Sequence, residues 1–260
     1  MNKIIFLFFS YPKYIKNKYA IINCKAFLDF KKKLVKYNII NELSEKYTKV
    51  ILEPEVFILK QQNHYRFEKW LNIKDFLNNL PANCYFSLDY PSDMNINYQY
   101  QFITKTHYNI KKYHYSKHYI NTVQFLFFNF ESFKENFDII NNIESKSKIM
   151  GIGNLCRLFS NSRKTKTFYL KLFNYIKDNI NKNNYKWLHI YGLGLAYIKP
   201  FYSILKNSFK VLSVDSTKWT RACNSNLKLQ FGLNCNRNNK QLFFNEYMKT
   251  IQKRNIPIEY

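Results

Sequence analysis

A chain of 260 residues can bury a real core as one large domain or two small ones. Hydrophobic residues make 46% and charged residues 22% of it, an ordinary globular balance that excludes a disordered or fibrous polymer. The formal charge of +24, from 41 Lys and Arg against 17 Asp and Glu, makes the surface potential positive nearly everywhere and draws polyanions from a distance.

Nucleic acid is the expected partner for that charge, because neutralised phosphates release counterions and drive binding. An AT-rich coding genome that inflates Lys, Asn and Ile, or an anionic membrane surface, would also fit. The same codon bias would account for 24 Phe and 22 Tyr. Cys24, Cys84, Cys156, Cys223 and Cys235 form no CxxC pair, which argues against a disulfide framework or a cysteine zinc site. The expected setting is intracellular and reducing. The apolar run Ile4 to Phe9 is shorter than a signal-peptide core and lacks a small-residue cleavage site, so it reads as a first strand. No stretch is long enough to span a bilayer.

In chain order, Ile4–Ser10 and Tyr19–Asn23 read as strands. A helical pattern through Phe27, Phe30, Leu34 and Ile39-Ile40 leads to the strand Lys49–Leu52, which ends at Glu53-Pro54-Glu55. Leu71–Leu80 is helical, and Cys84–Leu88 is a strand ending in Asp89-Tyr90-Pro91. The span from Tyr98 to Tyr119 is dense in Tyr, Lys and His and is expected to cover part of the fold. Its His107, His114 and His118 read as surface or phosphate contacts. Val123–Phe128 is a strand with Gln124 near its start, and Ser132 is expected to cap the helix through Phe133, Phe137 and Ile140. Lys148–Met150 is a short strand running into Gly151-Ile152-Gly153-Asn154. Thr167–Ile180 is helical. The strand Trp187–Tyr191 ends in Gly192-Leu193-Gly194, and a helix through Ile198, Phe201, Ile204 and Leu205 follows. Val211–Val214 then delivers Asp215 at its tip, and residues 231–260 form a basic closing segment.

Strands alternating with helices at this interval imply a mostly parallel sheet. About seven repeats without a GxGxxG after the first strand point to one (β/α)8 TIM-barrel domain over residues 1–260. In parallel α/β folds the reactive groups sit at the C-terminal strand tips. Glu53, Asp89, Gly151 and Asp215 each follow an apolar run. One such acid usually only caps the next helix, whereas several at one mouth push one carboxyl's pKa up and leave another ionised.

The order Asp89-Tyr-Pro, Val123-Gln124, Met150-Gly151-Ile152-Gly153, His189-Ile190-Tyr191-Gly192-Leu193-Gly194 and Ser213-Val214-Asp215-Ser216 resembles the transglycosylase superfamily. That superfamily comprises tRNA-guanine transglycosylases, of queuosine and archaeosine type, and relatives that insert 7-deazaguanines into DNA. The similarity covers roughly residues 1 to 225 and is nearer the DNA-modifying branch. It implies a nucleic-acid substrate, a free 7-deazaguanine base as second substrate, no cofactor and no membrane. Asp215 matches the nucleophile that attacks the anomeric carbon. Asp89 and Gln124 match the residues that read the base, Gly151 and Gly153 the glycine turn beside the pocket, and Gly192 and Gly194 the next one. Glu53 stands where the family has the aspartate of Asp-Ser-Gly, and Pro54-Glu55 replaces the small residues after it. Arg157, Lys218 and Arg221 follow the site loops and are expected at the phosphates, although a surface salt bridge suits either Arg equally. The zinc subdomain of the tRNA enzymes has no matching Cys and His spacing here, so no structural metal is expected. Two readings follow: a base-exchange enzyme, or a degenerate barrel that binds nucleic acid without turnover.

Overall fold

The structure is a computed structural model describing residues 4–10, 18–54, 70–88, 90, 96–155, 163–215, 240–253 and 255–259. It is mixed α/β. In chain order the strands are β1 (Ile4–Ser10), β2 (Tyr19–Asn23), β3 (Leu28–Asp29), β4 (Leu34–Val35), β5 (Lys49–Glu53) and β6 (Cys84–Phe86). Then come β7 (Asn121–Val123), β8 (Ile149–Ile152), β9 (Trp187–Ile190), β10 (Val211–Asp215) and β11 (Ile258–Glu259). The described helices are α1 (Cys24–Phe27), α2 (Tyr37–Lys46), α3 (Ile73–Asn78), α4 (Ile96–Tyr113), α5 (Phe130–Asn141), α6 (Arg163–Asn179), α7 (Leu195–Leu205) and α8 (Lys240–Gln252).

The main sheet runs β6-β5-β2-β1-β10-β9-β8-β7, and every pairing along it is parallel. β10, the last strand of this path in the chain, lies against β1, the first, in register from Ile4↔Val211 to Phe8↔Asp215. The other edge of β1 is shared. Ile5 and Phe6 pair with β11, and Phe9 and Ser10 pair with β2. Phe86 of β6 also makes a parallel bridge to Tyr119, just ahead of β7. Its N–H donates to the His118 carbonyl at 2.7 Å, and its carbonyl accepts from Ile120 N–H at 2.9 Å.

Successive strand side chains point to opposite sheet faces, and the two faces hold different cores. On one, Ala20, Ile22, Val50, Leu52, Phe86, Met150, Ile152, Leu188, Ile190, Leu212 and Val214 pack with the helices. Helix residues Ile40, Phe76, Ile110, Phe137, Leu172 and Phe201 complete that layer with no accessible surface. On the other, Tyr19, Ile21, Ile51, Ile120, Ile149, Trp187 and Tyr191 form a small cluster of strand and strand-flanking residues, so this face packs on itself.

The expected helix through Phe27 and Ile40 is broken into α1, a two-stranded ribbon and α2. Asp29 accepts the N–H groups of Lys31 and Lys32 at 3.1 Å each, and Lys33 turns the chain at φ 51°, which no helix continues through. Ser132 does not cap α5; Asn129 does, accepting Ser132 N–H at 2.9 Å, while Ser132 Oγ accepts Leu126 N–H at 3.0 Å. The strand expected over Val123–Phe128 lies earlier, at Asn121–Val123, because its register with β8 begins at Asn121↔Met150. Phe128, at φ 55°, ends any extended run there. β11 lies in a stretch read only as a closing segment; within it α8 buries Phe244, Met248 and Ile251.

Candidate functional site at the strand tips

Because the strands of the main sheet are parallel, their C-terminal ends share one edge. Asp215 is the last residue of β10 and is half-buried. Its Oδ1 accepts the backbone N–H of Gly192, two residues past the end of β9. Gly192 sits at φ 69°, the left-handed region where a side chain is strained, and that turn aims its N–H at the carboxylate. Burial pushes the Asp215 carboxyl up to about 6, against the pull of Gly192 N–H and its own backbone N–H. Neighbouring acids in a partly desolvated site are the expected source of such a rise; among the described residues, desolvation by burial is its largest cause.

Below Asp215 on the same sheet face lies a polar layer that the sequence reading passed over. Ser213 pairs with His189 in register, and Ser213 Oγ accepts Trp187 Nε1–H at 2.5 Å. Because indole only donates, the hydroxyl has its proton free for His189 Nδ1, 2.8 Å away. Burial drives the His189 pKa down to about 3, so the ring is neutral at ordinary pH. Tyr191 packs edge-on against it, centroids 4.4 Å apart. Counting back by twos from Asp215 and Tyr191 reaches Ser213, His189 and Trp187.

Gln124 follows β7 directly and is fully buried. This corrects its expected place near a strand start: it stands at a C-terminal tip. Gly153 N–H donates to Val123 O at 3.0 Å, which lays Gly153 beside Gln124. A Cβ on Gly153 would overlap the Gln124 carboxamide. Gly151 lies inside β8, where a Cβ would come 2.7 Å from Thr122 Oγ1 and 2.9 Å from the Tyr191 ring. Thr122 Oγ1 is itself 2.8 Å from Ser87 Oγ. Gly151 in β8 and Gly153 just past it therefore make room for side chains from the flanking β7 and β9 segments. Gly194 differs, since it is the N-cap of α7 in extended geometry and a Cβ there would meet only Tyr197 at 3.5 Å.

Glu53 ends β5 at the same sheet edge and is half-buried. β2 and β1 stand between it and Asp215. Pro54 beside it is buried, and its carbonyl accepts from Cys24 Sγ at 2.8 Å. Asp89, Arg157, Lys218 and Arg221 lie outside the described residues, as does Cys156.

The expected surface role of the three histidines is corrected for His118, which is buried with Nδ1 2.8 Å from the Cys84 carbonyl. His114 Nδ1 lies 3.0 Å from Lys111 O. Burial lowers the pKa of both His107 and His118. Burial likewise pushes the Cys84 thiol up to about 12, which leaves it inert. Among the described residues no group of three or more His, Cys, Asp or Glu side chains could hold a metal ion, and no helix is long and apolar enough to cross a membrane.

Against known proteins, the chain matches no family model and no curated sequence.

Proposed function

We propose that the chain is a nucleic-acid guanine transglycosylase built as a closed (β/α)8 barrel, with Asp215 as its nucleophile. The Phe86–Tyr119 bridge and the chain-order neighbours around the sheet support closure. The observation that carries the function is Asp215 itself: a half-buried carboxylate at a strand tip, held by Gly192 N–H, on the sheet edge where Gln124 and Gly153 stand together.

In this reading the Asp215 carboxylate attacks the anomeric carbon of a guanosine residue. The new C–O bond forms as the glycosidic C–N bond breaks, and guanine leaves with the electron pair, taking a proton from Glu53 or from water. A 7-deazaguanine then attacks the covalent glycosyl-enzyme, loses its ring N–H proton and regenerates the carboxylate, with retained configuration. A carboxamide such as that of Gln124 carries both acceptor and donor groups suited to a base edge, and glycine at position 153 leaves room for it. The target base reaches such a pocket flipped out or already unpaired. DNA is favoured over tRNA by the resemblance of the SVDSTKW segment.

A second reading, a barrel that binds without turnover, draws on Pro54. It places a residue with no N–H directly after Glu53, where the family has small residues that let substrate approach. Labelled-guanine exchange on DNA and on tRNA, wild type beside Asp215→Asn, separates the two. Exchange and a protein–nucleic acid adduct on a denaturing gel, both lost in the variant, are expected. No exchange on either substrate, with salt-sensitive binding intact, would establish the binding barrel.

A further inference from the structure

From Met94 to Phe130 the chain contains no Asp or Glu, while it carries Lys105, Lys111, Lys112 and Lys117. Within that stretch lies α4, whose inner face buries Ile103, Thr106, Asn109, Ile110 and Tyr113. Its outer face is unusual. Tyr100 is 60% exposed and Tyr108 is 61% exposed, and Tyr115, just past the helix end, is 38% exposed. Two such rings on one helix leave aromatic surface open to water.

Tyr100, Thr104, Tyr108 and Lys111 recur at intervals of four, four and three, so they keep to one side of the helix. Tyr100 and Tyr108 stand about 12 Å apart along the axis at the usual rise. Lys112 Nζ lies 5.8 Å from the Tyr108 ring centroid and 5.4 Å from that of Tyr113, so the cation borders the aromatic surface. α4 follows β6 in the chain and returns to the start of β7, so it sets out from the sheet edge that carries Asp215 and Gln124.

We propose that the outer face of α4 is a docking surface for a single-stranded nucleic-acid segment. Unpaired bases stack on Tyr100 and Tyr108, and Lys111 and Lys112 contact the phosphates. Two exposed rings with two cations beside them, in a stretch without an acid, match a strand that offers π-faces and a negative charge at each nucleotide. An anionic membrane matches poorly, because a surface-lying helix inserts Leu, Phe or Trp, and the exposed positions Tyr100, Gln101, Thr104, Tyr108, Lys111 and Lys112 hold none. The proposal rests on the nucleic-acid reading above and adds where the strand runs.

The test titrates the full chain against a labelled oligonucleotide as single-stranded DNA, as RNA and as duplex DNA, at several salt concentrations. Single strands should bind more tightly than duplex, and the better of DNA and RNA identifies the source of the strand. Tyr100→Ala with Tyr108→Ala should weaken single-strand binding by about tenfold or more at an unchanged salt slope. Phe at both positions should restore it. Lys111→Gln with Lys112→Gln should flatten the single-strand salt slope by about 1.4. Single-strand affinity unchanged in the alanine pair overturns the proposal. So does alanine-sensitive binding to phosphatidylserine vesicles with oligonucleotide binding untouched. Exchange activity distinguishes the two readings. Tyrosine-dependent binding without any base exchange removes the transglycosylase and keeps the surface, whereas exchange with binding indifferent to the tyrosines does the reverse.

Discussion

Asp215 and His189 occupy neighbouring layers of one sheet face, and burial shifts them in opposite stability senses. The Asp215 pKa is raised from 3.8 to about 6, so between those values the folded chain holds more protons at this site than the unfolded chain, and stability falls as pH rises through that window. The His189 pKa is lowered from 6.5 to about 3, so there the unfolded chain holds more protons, and stability falls as pH drops below 6.5. The two slopes oppose each other between about 4 and 6. Asp215→Asn should therefore melt at or above the wild-type temperature at pH 8 and show a steeper acid loss below pH 6.5, read by thermal melts across pH. In the proposed reaction the nucleophile must be ionised, so exchange should fall away below an apparent pKa of about 6. The two glycines of the β8 tip should separate by readout. Gly151→Ala crowds Thr122 and Tyr191 inside the strand and should cost about 1–3 kcal/mol of stability in denaturant unfolding. Gly153→Ala displaces a terminal carboxamide, so it should chiefly weaken base binding, seen as a raised KM. Asp215 was legible in the sequence because an apolar run pointed straight at it. The His189–Ser213–Trp187 layer was written in the same strands at period two. It was missed because a polar residue inside a strand carries no sign of which neighbour it will meet.

Elements at this scale are held by local devices and by partners far away in the chain. α5 starts where the Asn129 side chain accepts Ser132 N–H, and Asn129→Ala should cost about 1 kcal/mol in chemical denaturation. Sequence alone favoured Ser132, since both residue types cap helices well and only the backbone path shows which stands outside the first turn. β11 is held by β1 and by the Lys18–Glu259 ion pair at 2.8 Å, itself half in water and of modest worth. Removing residues 256–260 should lower the melting temperature by several degrees, mainly through lost strand pairing and the buried Ile256. Two residues of strand have no periodicity to read, which is why this element escaped sequence analysis. The α1–β3–β4–α2 break escaped for another reason, since apolar residues spaced as in a helix also suit a ribbon lying on a core.

For the whole molecule, the seam between β6 and β7 decides the architecture. If the proposed barrel is closed, the amides of Phe86 and Ile120 should exchange with solvent as slowly as the central Tyr191 amide, which donates to Ile152 O at 3.0 Å. Fast exchange at those two amides alone would describe an open sheet. Sequence was sufficient for the parallel α/β class, for most of the main-sheet strands to within a few residues, and for the position of Asp215 on a tip. Those features follow from periodicity and chain order, which are local. Tertiary structure decided what periodicity cannot encode. It set the register that moved Gln124 to a strand end and the left-handed turn that aims Gly192 N–H at Asp215. It also set the burial that raises one carboxyl and silences one imidazole. Each depends on which atoms surround a group, and those atoms come from strands and helices tens or hundreds of residues away along the chain.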